Sequence, residues 1–335
     1  GNWPQADFIG AATGDAPIVV EGQRAWLRRY WRYEREIESA LRARAIPFAT
    51  LPPAEEVARA LDELLPSADA GETDWQRVAA VTALRAPLTV ICGGPGTGKT
   101  FTALRVLALI QRFGGRPLRM GLAAPTGKAA QRLGEAAQSG LRKLPLSEEQ
   151  RASLPGEAMT LHRLLGFHPQ SVQPMRDAAH LLDLDVLVVD ECSMVDLPLM
   201  AKLLRALKPD CRLILLGDPD QLPAVENGAV LATLAARNPS NRQSPEAAQW
   251  LAATRAARLE ASEDVSAIAA RIVRLERPRR FGGDSGIARL VRAIRLGDAA
   301  QVFASLSESE DIHWSEHAWR LDSAATRAAL RESWH

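Results

Sequence analysis

The sequence predicts an α/β fold centred on a parallel sheet. Three observations carry this. Leu88 to Cys92, Leu118 to Ala124, Val186 to Val189 and Arg212 to Leu216 are short, largely apolar runs with the length and composition of strands buried on both faces. Segments of helical period lie between them, as with Phe101, Leu104 and Ala108. Finally, Gly93-Gly94-Pro95-Gly96-Thr97-Gly98-Lys99-Thr100 fills every fixed position of the phosphate-loop pattern G-x-x-x-x-G-K-[ST] at a strand-to-helix turn.

The chemistry of that turn follows from its residue types. Glycines let successive backbone N–H groups turn inward around a phosphate, and the helix N-terminus adds its positive end. Lys99 reaches the β/γ oxygens, and Thr100 offers a hydroxyl to Mg²⁺. A nucleoside triphosphate such as ATP is the expected ligand.

Bulk properties narrow the class. At 335 residues the chain calls for two or three domains. Its composition, 47% hydrophobic and 24% charged, is globular. No apolar run approaches the roughly 18 residues that a membrane span needs, so no membrane partner is expected, and no signal-peptide pattern is seen. Cys92, Cys192 and Cys211 are odd in number and lie in or beside predicted strands, which points to reduced thiols in a cytoplasmic protein. A net charge of +1 leaves any nucleic-acid surface to local clustering. One cluster stands between positions 271 and 295, where eight arginines face only Glu276 and Asp284.

In chain order, Ile18-Val19-Val20 reads as a short strand, followed by a helix with Trp26, Tyr30, Tyr33, Ile37 and Leu41 on one face and closed by Pro47. A second helix starts at Pro53, turns Val57, Leu61 and Leu64 inward, and stops at Pro66. These form a small helical domain over 1–70, suited to support or partner docking. The run 67–71 reads as a linker. Thr73-Asp74-Trp75-Gln76 then matches a capping box that opens a helix through Leu84. Gln76 has a second reading, an amide that hydrogen-bonds an adenine edge.

Past the phosphate loop, the strand ending at Ala124 leads into Pro125-Thr126-Gly127-Lys128, another helix start that invites a phosphate, although capping alone accounts for Thr126. The stretch 138–180 reads as an excursion from the sheet with one short helix, Leu161 to Leu165, capped by Thr160 and carrying His162. Val186 to Val189 then delivers Asp190-Glu191 to the edge where open α/β sheets place ligands. Asp190 is suited to hold Mg²⁺, and Glu191 to orient and deprotonate the attacking water. After the strand ending at Leu216, Gly217-Asp218-Pro219-Asp220-Gln221 has turn chemistry, with Gln221 placed to sense a γ-phosphate.

A new domain is expected over 241–335, with a strand Ile272 to Leu275 and a helix from about Gly286 to Leu296 that turns Ile287, Leu290, Val291 and Ile294 inward. His313-Trp314-Ser315-Glu316-His317 fits the zinc-peptidase pattern H-x-x-E-H, a short pattern here without a further ligand.

These motifs, in this order, resemble those of the superfamily 1 DNA helicases, and among them the RecD family of exodeoxyribonuclease V alpha subunits. Gln76 looks like that family's adenine-binding glutamine, and Gly93 to Thr100 like its motif I. Pro125 to Leu133 is similar to its single-strand-contacting motif Ia, and Thr160 to Leu165 to a further DNA-contacting segment. Asp190 to Ser193 resembles motif II, Gly217 to Leu222 motif III, and Arg280 the arginine of motif IV. The resemblance implies a RecA-like motor domain over 71–240 with an insertion near 138–180, preceded by the docking domain and followed by a partial second motor domain over 241–335. It implies ATP and Mg²⁺ as cofactors, 5′ to 3′ translocation on single-stranded DNA, action on duplex ends, and RecB and RecC as partners. Nucleotide contacts fall on Gln76 and Gly93 to Thr100, DNA contacts on Pro125, Thr126, Lys128, Thr160 and His162, and catalytic roles on Lys99, Asp190, Glu191, Gln221 and Arg280.

Two departures stand out. Arg279 occupies a place where the family often has an aromatic residue, and no segment matches motifs V and VI, so the sequence is expected to be truncated within the second motor domain. A P-loop kinase, an unrelated ATPase and a nucleotide-binding scaffold subunit are the rival readings.

Overall fold

The computed structural model describes residues 8–66, 72–168, 170–171, 173–222, 228–276, 285–309 and 311–312. Contacts divide the chain into two compact units, Gly1–Arg277 and Pro278–His335.

The first unit opens with β1 (Ile9–Gly10), β2 (Ile18–Glu21) and β3 (Arg24–Leu27), a separate three-stranded sheet. Two helices follow, α1 (Arg28–Arg44) and α2 (Ala54–Leu64). After these come α3 (Trp75–Arg85), β4 (Leu88–Gly93), α4 (Lys99–Arg112), β5 (Met120–Ala124) and α5 (Gly127–Arg142). The excursion holds α6 (Glu148–Ala152), β6 (Met159–Thr160) and α7 (Leu161–Leu165). The chain returns through β7 (Val186–Val189), α8 (Leu197–Ala206), β8 (Arg212–Gly217), α9 (Val230–Ala235), α10 (Pro245–Ala253) and β9 (Ile272–Leu275).

Six strands form one sheet in the order β6-β5-β7-β8-β4-β9, and every pair in it is parallel. All strand C-termini therefore lie along one edge. Alternate residues of the strands point to opposite faces, so Leu88, Val90 and Cys92 join a core with Leu203 and Leu204 of α8, while Ile91 joins the core of α3, α4 and α5. Each fully buried aliphatic side chain contributes about 1.5–3 kcal/mol.

Three sequence expectations are corrected. Trp26 lies on β3, paired with Val19, and the helix begins only at Arg28. The extended backbone there lets β3 close the small sheet, so the N-terminal region is not all helical. Nor does that region stand apart as a body of residues 1–70. Ile37 and Leu41 of α1 pack into the core beside α8, Val57 and Leu61 of α2 pack into the other core, and Arg77 ties α2 to α3 through Leu65 O (2.9 Å) and Asp62 (2.8 Å). The boundary expected near 240 also moves. β9 pairs with β4 along Val90↔Ile272 to Gly93↔Leu275, which carries the first unit on to Arg277.

Smaller differences have local causes. The cap of α3 is Asp74, whose carboxylate accepts from Gln76 N, so Gln76 does not complete a capping box with Thr73. The excursion holds two short helices rather than one, since Ser147 and Gln150 form a complete capping box at α6. The arginine cluster is not one surface, because Arg271 is 2% exposed. Arg277, Arg279 and Arg280 lie outside the described residues, as does His313 to His317.

In the second unit, α11 (Gly286–Leu296) packs on α12 (Ala299–Glu308). Ile287 and Leu290 are half-buried, but Val291 and Ile294 are exposed, contrary to the inward face that the periodicity predicts. One helix partner covers only part of a stripe that spans three turns.

Candidate active site

At the end of β4 the chain turns through Gly94 to Gly98 and enters α4. Gly98 supplies the turn with a left-handed backbone, φ 84°, and a Cβ there would stand 2.8 Å from Gln76 Nε2. It is also the N-cap of α4 and offers no side-chain acceptor, so the first N–H groups of the helix are left for the loop. Thr97 Oγ1 donates to Gly94 O (2.9 Å) and fastens the turn from inside. Lys99 Nζ donates to the carbonyl oxygens of Gly93 (2.7 Å) and Gly94 (3.2 Å), which holds the ammonium over the loop.

Gln76 reaches the same loop from α3. It is 4% exposed, and its Nε2 donates to Thr97 O at 3.3 Å. Its Oε1 is buried and has no partner among the described residues. The Asp74 cap fixes the start of α3 and so aims this side chain.

The carboxylates arrive on β7. Asp190 N donates to Ala123 O (2.9 Å), which anchors the residue to β5. Asp190 Oδ2 accepts from Thr100 Oγ1 at 3.1 Å, and Oδ1 accepts from Glu191 N at 2.8 Å. Burial pushes the Asp190 carboxyl up; the two hydrogen bonds and the Lys99 charge pull against it. Burial also pushes Glu191 up, with the neighbouring Asp190 charge adding to it. Glu191 has a left-handed backbone, φ 54° and ψ 41°. For a residue with a Cβ that conformation costs about 1–2 kcal/mol, and it throws the chain sharply off β7 into the Cys192–Met194 turn.

The Thr100–Asp190 bond bridges β4 and β7 across the end of β8, which lies between them. β8 ends in Gly217, where a Cβ would meet Leu231 Cδ2 at 2.4 Å, Cys192 N at 3.2 Å and Ser193 N at 3.3 Å. Sequence reasoning treats Gly217 as turn chemistry; its role under the acidic pair is visible only once strand order is known. Asp218, 2% exposed, accepts from Asp220 N (3.1 Å), and Gln221 N donates to Asp218 O (3.3 Å) with the Gln221 side chain exposed.

The other expected residues gather further along the edge, at β5 and β6, where Ala124 pairs with Thr160. Thr126 Oγ1 accepts from Ala129 N (3.3 Å) and Thr160 Oγ1 from Arg163 N (3.2 Å), so both hydroxyls cap helices. Pro125 is half-buried; Lys128 and His162 are exposed. The His162 ring lies 4.9 Å from that of Phe167, over which Lys202 Nζ sits at 5.1 Å.

A parallel sheet with a phosphate loop on one strand, and an acidic pair two strands away hydrogen-bonded back to it, is the arrangement of a P-loop nucleotide-binding domain. Residues 76–227 match the AAA domain family. The chain is 40% identical to the RecBCD enzyme subunit RecD of Haemophilus influenzae, over 85% of this chain and 45% of that protein. It is 38% identical to the corresponding subunit of Mycolicibacterium smegmatis, over 99% of this chain and 57% of that protein. A Pif1 helicase from Bacteroides, solved with ADP-AlF3 and single-stranded DNA, is 17% identical with a TM-score of 0.36, covering 84% of this chain and 57% of that one. The chain is similar to these RecD subunits, and it spans about half the length of these relatives.

Proposed function

We propose that this chain is the ATP-hydrolysing motor part of a RecD-type DNA translocase. The observation that carries the reading is the Thr100–Asp190 hydrogen bond, which joins the phosphate loop to a strand whose next residue, Glu191, is a half-buried carboxylate aimed by its left-handed backbone.

Each side chain then has a task. Lys99 neutralises the β/γ oxygens, and the N–H groups ahead of α4 cradle them. Thr100 and Asp190 would hold a Mg²⁺. The donor set fits, since a hydroxyl and one buried carboxylate are what Mg²⁺ takes from protein when phosphates and waters supply the rest. The ion when bound supplies charge neutralisation of the phosphate oxygens. Glu191 accepts the proton of the attacking water, a role helped by burial that raises its basicity.

Gln76 keeps its Nε2 on Thr97 O and offers Oε1, buried without a donor, to the amino group of adenine. An unmet buried acceptor costs about 1–3 kcal/mol, so a base that donates there gains what the empty site loses. Gln221 senses the γ-phosphate, and Arg280 is assigned to its charge stabilisation. The β5–β6 edge, with Pro125, Thr126, Lys128, Thr160 and His162, takes single-stranded DNA. Within a complex with RecB and RecC in the cytoplasm, the motor runs 5′ to 3′ on strands freed from duplex ends at double-strand breaks, and α1 with the small sheet serves docking.

The decisive measurement is steady-state ATP turnover by the full-length protein in its complex, with and without single-stranded DNA. Turnover raised several-fold by DNA is expected. Turnover indifferent to DNA would favour an unrelated ATPase or a kinase, and none in either condition would favour a nucleotide-binding scaffold.

A further inference from the structure

Arg271 immediately precedes β9, and Arg85 ends α3 two residues short of the parallel strand β4. They therefore lie at the N-terminal edge of the sheet, a strand length of about 20 Å from the phosphate loop. Both are buried, at 7% and 2% exposed, and they line one cleft with Gln243 and Trp250. Five polar atoms in this cleft are buried with no hydrogen-bond partner among the described residues: Arg85 Nη1, Arg271 Nη1, both amide atoms of Gln243, and Trp250 Nε1. Four are donors, three of them N–H groups of Arg and Trp that accept nothing.

No salt bridge compensates the two guanidinium groups among the described residues. The carboxylate that Arg85 does feel, Glu246, is exposed and accepts from Ser244 Oγ at 3.0 Å. Arg271 has one long bond, Nε to Ala267 O at 3.4 Å. Burial lowers the Arg271 pKa to about 10, with the Arg85 charge adding to the fall, yet both remain cationic at neutral pH. Two adjacent buried cations whose nearby carboxylate, Glu246, is exposed and makes no ion pair with either among the described residues are costly, and buried charges are ordinarily paired. Convergent N–H donors with doubled positive charge select an anion with several acceptor oxygens.

We propose that the Arg85–Arg271 cleft, lined also by Gln243 and Trp250, is a binding site for a small oxyanion, a phosphate or a carboxylate, separate from the nucleotide site. The cleft is closed as it stands, so binding requires the two guanidinium groups to part, after which the anion takes up their unpartnered N–H donors. The inference does not depend on what the phosphate loop binds.

The test follows the indole N–H resonance of Trp250 in the ¹⁵N-labelled chain. It is one of eight tryptophan signals, and Trp250→Phe identifies it. ADP is held in excess to occupy the phosphate loop, and inorganic phosphate or acetate is titrated against sodium chloride of equal ionic strength. A saturable shift with phosphate or acetate, and none with chloride, is expected. Arg271→Met should weaken it roughly tenfold or more. Should that variant fail to fold, Gln243→Leu, which removes polar partners without removing a charge, should weaken the response instead. A stronger response to phosphate names free phosphate as the occupant; a stronger one to acetate names an acidic side chain. If neither anion acts beyond chloride, or if Arg271→Met or Gln243→Leu folds and responds as the parent does, the site does not exist.

Discussion

At the ends of β4 and β7 a hydroxyl faces a carboxylate and an ammonium faces carbonyls, whereas at the ends of β5 and β6 both threonines turn back to cap their own helices. The two regions share one sheet edge and much the same residue types. They differ in what the side chains are held against. Around the phosphate loop, local bonds are joined by long-range ones, Thr100 to Asp190 beyond β7 and Gln76 of α3 to Thr97, so geometry is imposed from several sides and suits chemistry that needs atoms fixed in place. Along β5 and β6 the contacts are local, and the exposed Lys128 and His162 are left to a partner that tolerates a range of positions, as a strand of nucleic acid does.

The largest effect should follow from Lys99→Ala. Among the described residues its ammonium bonds only the Gly93 and Gly94 carbonyls, so the fold should keep a melting temperature near that of the parent. ATP turnover should fall by about 10²–10³ or more, the range seen when a preorganised stabiliser of transition-state charge is removed. A variant that keeps even a tenth of the parental rate would break the contrast between the two edges.

Glu191→Gln should come next, with turnover down about 10²–10⁴ and nucleotide still bound, as measured by calorimetry. The pH response adds a sign. Glu191 is pushed up by burial and by the Asp190 charge, so its proton is held more tightly folded than unfolded. Its ionised form therefore opposes folding at neutral pH, and this penalty fades as pH falls through the raised value. Glu191→Gln should thus melt higher than the parent at pH 7 and lose that advantage in acid, while parental turnover declines over the same descent.

Gly217→Ala sharpens the comparison differently, because it touches no ligand. The added Cβ meets Leu231 and the backbone of Cys192 and Ser193, so about 1–3 kcal/mol of stability should be lost on chemical denaturation. The displaced turn carries Glu191, so turnover should fall with it. The β5–β6 edge should be unaffected, and DNA affinity should hold.

Much of the nucleotide region was legible in the sequence because its signals are local. The phosphate loop has fixed spacing, and Asp190-Glu191 follows an apolar run that could only be a buried strand. What depends on neighbours was not legible. β9 reads as three apolar residues around Arg274, and nothing in them says that β4 lies alongside. Gly217 matters only because β8 runs between β4 and β7. Arg271 reads as one of a basic cluster and is buried, since its place is set by packing against α3 and α10 rather than by charge. For Gln76 the sequence offers an adenine reading beside a capping one, and resemblance adds weight to it; the orphaned amide oxygen exists only in three dimensions.

The smallest effects belong to the β5–β6 edge. Lys128→Ala removes an exposed charge with no structural task, so stability should not change. If Lys128 neutralises one phosphate, the slope of log affinity against log salt for single-stranded DNA should flatten by roughly 0.7, with little change in ATP affinity. Thr126 needs a control, because Thr126→Ala also removes the cap of α5 at a cost of about 1 kcal/mol. Thr126→Ser keeps the capping oxygen. Should the serine variant bind DNA as the parent does while the alanine variant binds several-fold more weakly, the hydroxyl acts through the helix start or the strand itself. His162→Ala separates these, since it leaves the Thr126 cap untouched. The double variant Thr126→Ser with His162→Ala should therefore lose only the contribution of the ring, a few-fold in affinity at low salt. An unchanged affinity there, together with an unchanged salt slope in Lys128→Ala, would remove DNA from this edge and leave its threonines with capping alone.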